Sequence, residues 1–340
     1  MKAFALTPRI IAKMAEIFDE DKYKEGYELF LPFAEQGDAD MQCKIGLMHA
    51  GGFGVLQNYK KALRWYQLAA KQGNVKAQSN LGSMYSQGQG VPQDFTEAFK
   101  WYCLAAEQGD VDSQFILGEM YLNGQGIAKD NVKALKWYQL AADHGDTEAQ
   151  YEMGKFYTNG EEVPKDPREA YKWFRLSAEQ GNDNSQYMVG LFYYHGEGVV
   201  VEDSEEAFRW HLLSAKQGNT TALFSVGACY FHGEGVSEDH DEAAKCFGVA
   251  AKLGHSQAQH ALAELHFHGI GVPQDYIEAI KWFRLSADQG SALAQCNLGN
   301  IYAEGLGVSK DYVLAQMWFN LSASNGSKEG LVMGMSLQKT

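Results

Sequence analysis

Between Asn74 and Gly109 the chain runs through two stretches of helical periodicity separated by a glycine-rich break. Ala77, Leu81, Met84 and Tyr85 recur three or four residues apart and so share one face of a helix. Ala98, Trp101, Tyr102, Ala105 and Ala106 do the same for a second helix. Asn74 and Asp94 stand where N-caps belong, and Glu97 follows Asp94 at capping-box spacing. Gly88-Gln89-Gly90 ends the first helix and Gly109 the second, where glycine accommodates positive φ. Gly82 sits mid-helix, at a cost of roughly 1 kcal/mol against alanine. Close approach of the two helices is the expected compensation.

The same pattern recurs along the chain. Trp65, Trp101, Trp137, Trp173, Trp210, Trp282 and Trp318 occupy one position, with Cys246 in the remaining slot. Gly46, Gly82, Gly118, Gly154, Gly190, Gly227 and Gly299 occupy another, with Ala263 as the substitute. The period is 36 residues, broken by a single insertion within Val199-Val200-Val201. Eight full units span 38–326. Residues 1–37 read as an N-terminal helix and degenerate half repeat, and 327–340 as a truncated repeat that caps the end. One unit cannot bury its apolar face alone, so neighbours stack into a continuous core. The aromatic pair Trp101-Tyr102 is expected to fill the space between helices. The tryptophans and glycines therefore read as core and turn positions rather than cofactor ligands.

Ala77-Gln78, Leu81-Gly82, Tyr85, Gly88, Gly90-Val91, Asp94, Ala98, Trp101-Tyr102, Ala105-Ala106 and Gly109 together resemble the Sel-one-like repeat, a relative of the tetratricopeptide repeat. The resemblance implies an all-α fold: a right-handed α/α superhelical solenoid of eight full two-helix repeats with partial terminal repeats. It also implies a non-enzymatic adaptor that holds a protein partner, and it supplies no catalytic residue. There are departures. Glu162 replaces the second loop glycine of repeat 4, and Ala263 and His266 replace the usual Gly and Tyr of repeat 7. Cys43, Cys103, Cys229, Cys246 and Cys296 do not follow the regular plan of the cysteine-tied relatives. Cys229 and Cys246 both fall at core positions of repeat 6 and read as buried free thiols rather than a disulfide.

Composition narrows the function. Lys+Arg is 29 against Asp+Glu 43, a net charge of -14, which argues against a nucleic-acid partner. No apolar run approaches the roughly 18 residues of a membrane span. The opening MKAFALTPRI is a poor signal peptide, so the expected compartment is the cytoplasm if Met1 is native and the periplasm if a leader has been removed. No CxxC, HExxH, phosphate loop or Ser-His-Asp order is present, and no cofactor or metal is expected.

Specificity in a solenoid resides where the repeats differ. The resemblance implies that the first helix of each repeat lines the concave face. Its lining positions are three before the helix glycine, and one, four and five after it. In repeat 2 these are small and polar: Ser79, Ser83, Ser86 and Gln87. In repeats 5 to 7 they are rich in aromatic residues and histidine: Tyr187, Leu191, Tyr194 and His195; Phe224, Ala228, Phe231 and His232; His260, Glu264, Phe267 and His268. Aromatic anchors suit a peptide-binding groove, and the same residues also suit packing between repeats. His195, His232 and His268 are equivalent, yet three in a row would not share one ion.

A second asymmetry is acidic. Residues 197–242 hold ten carboxylates, among them Glu202, Asp203, Glu205, Glu234, Glu238 and Asp241, against only Arg209 and Lys216. Helix capping explains Asp203, Glu206, Asp239 and Glu242. The others could steer a basic partner. A basic row on the second helices pairs with glutamates three residues earlier, as in Glu97 and Lys100, and so is helix-surface chemistry. The reading that results is a scaffold for a protein or peptide. Two alternatives stand beside it: an immunity protein that covers a toxin, and a small-molecule-binding or hydrolytic repeat protein. Homodimerisation through the terminal helices is a further option.

Overall fold

The computed structural model describes residues 22–160, 162–198 and 200–337. The expectations for residues 1–21, for Val199 and for 338–340 lie outside that range. Among the described residues all regular structure is helical. A lone helix α1 (Tyr23–Glu35) precedes the paired helices α2 (Ala39–Gly51) and α3 (Tyr59–Lys71), α4 (Val75–Gln87) and α5 (Phe95–Ala106), α6 (Val111–Asn123) and α7 (Asn131–Asp143), and α8 (Thr147–Asn159). From α9 (Pro167–Glu179) the pairs are α10 (Asp183–His195) and α11 (Ser204–Lys216), α12 (Thr220–His232) and α13 (His240–Lys252), α14 (Ser256–His268) and α15 (Tyr276–Asp288), and α16 (Ala292–Glu304) and α17 (Tyr312–Ser324). The final helix is α18 (Lys328–Leu337). The chain divides into two compact units, residues 1–165 and 166–340, and within each the pairs stack as a solenoid.

Local chemistry sets the helix ends. Asn74 accepts from the Ala77 amide at 2.9 Å, and Asp94 from Thr96 and Glu97 at 2.9 and 3.0 Å. The capping box expected at Asp94 is only half made. The Asp94 amide donates to the Tyr85 carbonyl at 2.9 Å instead, and Glu97 turns to Lys100. That backbone bond pins the loop, and it recurs at Asn58, Asp130, Asp203, Asp239, Asp275 and Asp311. The helix-surface pairs expected for the basic row form: Glu169–Lys172 at 3.0 Å, Glu206–Arg209 at 2.7 Å, Glu242–Lys245 at 2.6 Å and Glu278–Lys281 at 2.7 Å.

The core differs in one respect from the expectation that Trp and Tyr fill the same space. A Cβ on Gly82 would stand 2.7 Å from the Tyr102 ring, so the helix glycine admits Tyr102 into the heart of its own repeat. Tyr66, Tyr102 and Tyr138 are buried there. The tryptophans are mostly half-buried and face the preceding repeat. Trp101 packs on the Tyr66 cluster, and Trp137 on the Tyr102 cluster.

In every full repeat but the sixth, the first helix carries a glutamine at a position that ties neighbouring helices together. Gln78 Nε2 donates to the Ala70 carbonyl at 3.3 Å, and its Oε1 accepts from Gln108 at 2.7 Å. Gln42 with Gln72, Gln186 with Gln217, and Gln259 with Gln289 repeat the arrangement. Repeat 6 replaces both members together, with Leu223 and Leu253. Repeat 3 replaces only one. His144 bonds the Leu140 carbonyl at 2.7 Å but leaves the buried Gln114 Oε1 without a partner. His144→Gln should restore that bond and stabilise the protein by about 1 kcal/mol, read as a rise in the urea midpoint.

The α18 cap packs against α17 and leaves Leu331, Val332 and Met335 exposed. No described helix is long and apolar enough to cross a membrane.

Candidate functional site

The C-terminal unit contains a mostly apolar hollow of about 360 Å³ between α12 and α14. The register of these helices builds it. Phe224, Ala228, Phe231 and His232 of α12 all line it, and so do His260, Glu264 and His268 of α14. Phe247 and Leu265 close the apolar floor. The flanking rings hold the floor in place: Phe224 stacks on His255 at 5.1 Å and tilts against Phe247 at 5.5 Å, and Phe231 meets His240 at 5.0 Å.

The mouth is polar. Glu264 lies between two histidines one turn away on either side, His260 Nε2 at 3.6 Å and His268 Nε2 at 3.2 Å. Asn297 of the next repeat donates its amide to Glu264 and stands 3.3 Å from His260 Nε2. Burial lowers the His260 pKa, and the Glu264 charge partly opposes that shift. His232 and His268 are exposed at the rim, at the C-terminal ends of their helices. The dipole there favours a cationic or donor group.

The other residues singled out from sequence lie outside this hollow. Phe267 packs inward against Tyr276 at 5.2 Å and Phe283 at 6.5 Å. Tyr187 lies over the buried His211 at 5.3 Å, and Leu191 is half-buried. Tyr194 is 39% exposed, edge-on to the exposed His195, and the neighbouring Glu234 carboxylate raises its phenol pKa. Tyr194 therefore joins the acidic loop of repeat 6 rather than the hollow. The helical register already places His260 and Glu264 on the lining face. Asn297 arrives from another repeat, and no local sequence signal marks it.

Much of the acidic stretch is engaged. Asp203 caps α11, accepting from the Glu205 and Glu206 amides at 3.1 Å each. Glu205 pairs with Arg209 at 2.6 Å, and Glu238 with His240 at 3.2 Å. Glu202 and Asp241 are exposed. Cys229 and Cys246 are free thiols, and burial pushes the Cys229 pKa up to about 11. Among the described residues no group of three His, Cys, Asp or Glu side chains is arranged to hold a metal ion.

Paired helices repeated at this period, with a divergent row of residues on the first helices, define a repeat scaffold of the tetratricopeptide-like class. The family model for the Sel1 repeat matches residues 39–74, 75–110, 111–146, 147–182, 183–219, 220–255, 256–291 and 292–327, and the chain belongs to the Sel1 repeat family. It is similar to a protective antigen present in uropathogenic Escherichia coli strains that displays an SLR fold. Identity is 32% and the TM-score 0.84, over 92% of this chain and 67% of the other. It is also similar to a Sel1 repeat protein from Oxalobacter formigenes, at 33% identity and TM-score 0.68, over 92% and 89%. An immunity protein from Pseudomonas aeruginosa matches at 21% identity and TM-score 0.39, over 63% and 81%, too loose a superposition to bear on function. No curated protein matches the chain. Sel1 repeat proteins generally mediate protein–protein interaction, and the scaffold is typically non-catalytic.

Proposed function

We propose that this chain is an adaptor that holds a protein partner, with the hollow between α12 and α14 as the principal docking point. The observation that supports it is the pairing of an aromatic floor with a carboxylate at the mouth. An apolar anchor residue would fill the floor, and a neighbouring donor on the partner would meet Glu264. The exposed carboxylates Glu202 and Asp241 would favour a basic partner, as an immunity protein for a basic toxin would require. That finer reading needs capture that weakens as salt rises.

The test is affinity capture from the native organism, comparing wild type with Phe231→Ala and with Tyr194→Ala. Phe267→Ala is unsuitable, because its ring belongs to the core around Phe283. Phe231→Ala should reduce the affinity of the captured partner about thirtyfold, as loss of roughly 2 kcal/mol at an anchor implies, with helicity unchanged. Equal capture by a folded Phe231→Ala protein, with loss in Tyr194→Ala, would move the site to the acidic loop. The volume of the hollow also favours a second reading, a small-molecule ligand. Retention of a low-mass compound by wild type and not by Phe231→Ala would support it. Self-association through the apolar face of α18 would appear as a dimer by light scattering that Val332→Glu dissolves.

A further inference from the structure

The second-helix side of repeats 6 and 7 carries a hollow of about 680 Å³, distinct from the one already described. Its origin is written in the repeat. The second helix of every other full repeat has a larger residue at the position of Ala244: Leu63, Phe99, Leu135, Tyr171, Phe208, Ile280 and Gln316. One turn later, where repeat 6 has Gly248, the others have Gln67, Cys103, Gln139, Arg175, Leu212, Arg284 and Asn320. Ala244 and Gly248 both line the hollow, and a Cβ added to Gly248 would meet nothing within 4 Å.

One repeat of the same unit shows a side chain that can fill this space. Arg175, at the position equivalent to Gly248, lays its guanidinium over the ring of Trp210 in the next repeat, 4.7 Å from the centroid. Trp282 is the equivalent of Trp210, and it lines the hollow opposite Gly248. Repeat 6 has thus lost the side chain that would cover Trp282. The remaining lining suits the same group. Leu262 supplies an apolar wall for an aliphatic stem, and Asp241 is an exposed carboxylate at the edge. His266 lines the hollow too, and its Nδ1 is shielded from water without a hydrogen-bond partner in the protein. Two lysines line this side: Lys245 is already paired with Glu242 at 2.6 Å, and Lys252 is exposed in the last turn of α13. The lining Glu278 is paired with Lys281 at 2.7 Å, which leaves Asp241 as the carboxylate at hand.

We infer that this hollow is a docking site for an arginine side chain of a partner polypeptide, which stacks on Trp282 as Arg175 stacks on Trp210 and pairs with Asp241. A planar cation suits both contacts at once. It spreads over the indole face, its N–H groups reach the carboxylate, and its stem lies along the apolar wall. A compact ammonium matches only the charge. The site is independent of the α12–α14 hollow, so failure of either leaves the other standing.

The test uses the full chain with indole-labelled tryptophan, the Trp282 resonance being assigned by its loss in Trp282→Phe. The probe is a capped Gly-Ser peptide bearing one arginine, compared with its citrulline and lysine counterparts. The arginine peptide should shift the Trp282 resonance saturably, and the citrulline peptide, with its shape kept and its charge removed, should bind about tenfold more weakly. Gly248→Arg should abolish the response by filling the hollow from within, while Gly248→Ala should leave most of it. Asp241→Asn, on an exposed first turn, should weaken the arginine peptide severalfold and leave the citrulline peptide unchanged, and it serves if Gly248→Arg does not fold. The inference is overturned if Trp282 does not respond to the arginine peptide, if arginine and citrulline bind alike, or if folded Gly248→Arg or Asp241→Asn binds as wild type does.

Discussion

His211→Phe is expected to stabilise the protein in mild acid by about 3 kcal/mol while changing it much less at pH 8. His211 occupies the slot held by Tyr66, Tyr102, Tyr138, Phe174, Phe247, Phe283 and Phe319 in the other repeats. It is 3% exposed, and a Cβ on Gly190 would stand 2.3 Å from its ring. Both ring nitrogens are buried and neither has a side-chain partner; the Tyr187 backbone gives only partial compensation. Burial drives its pKa down to about 4 from the ordinary 6.5.

The direction of the pH effect follows from proton counting. Above pH 6.5 the ring is neutral both folded and unfolded, and stability does not depend on it. Between 6.5 and about 4 the unfolded chain takes up a proton that the folded chain refuses, so stability falls as the pH falls. Below about 4 both states are protonated and the loss stops growing. Each unit of separation is worth about 1.4 kcal/mol, so the full loss is about 3 kcal/mol. Urea unfolding at pH 8, 6 and 4.5 measures it. Amide exchange in α10 and α11 places it, since stacked repeats open locally before they unfold together. A wild-type midpoint with no greater acid sensitivity than that of His211→Phe would show that the folded chain protonates His211 as readily as the unfolded one, against the effect of its burial.

The periodic features were legible from sequence because each is decided by chemistry within a few residues. Asn74 and Asp94 cap because they precede apolar periodicity, and Gly82 tolerates the helix because Tyr102 needs the room. The capping box at Asp94 was misread because its amide is claimed by the Tyr85 carbonyl, a bond across the loop that local spacing does not encode. The aromatic row of repeats 6 and 7 could be placed on one face by helical register, and six of those positions besides His260 line the hollow. Phe267 could not be separated from them, since only the position of Phe283 decides that it turns inward. The uncovered Trp282 is an intermediate case. The small residues at 244 and 248 stand out in the column of repeats, but only the Arg175–Trp210 stack shows which neighbour they expose.

Gly235→Ala is expected to cost about 3 kcal/mol or more and to loosen the junction between repeats 5 and 6, whereas Gly218→Ala should cost only about 1–2 kcal/mol. Both glycines have positive φ, +69° and +94°, so both substitutions carry a conformational penalty for an L-residue, and it is no smaller at Gly218, whose φ lies farther from the left-handed region. Their surroundings differ. A Cβ at Gly218 meets nothing within 4 Å, while one at Gly235 would stand 1.9 Å from the Ser204 carbonyl oxygen and 2.3 Å from its carbon. Those atoms begin α11, so relief requires moving one repeat away from the next. Gly126 presses on Phe95 and Gly271 on His240 in the same way. Glu162 shows what the position requires when glycine is absent: its carboxylate bonds the Asn131 amide, a side-chain contact in place of close backbone approach. Solenoid stability is a sum of repeat and neighbour terms, so a weakened junction lets the flanking segments unfold separately. Calorimetry should therefore show a broadened or split transition for Gly235→Ala and a single, slightly lowered one for Gly218→Ala. Equal losses from the two variants would mean that conformation alone, rather than contact between repeats, accounts for the glycine at this position.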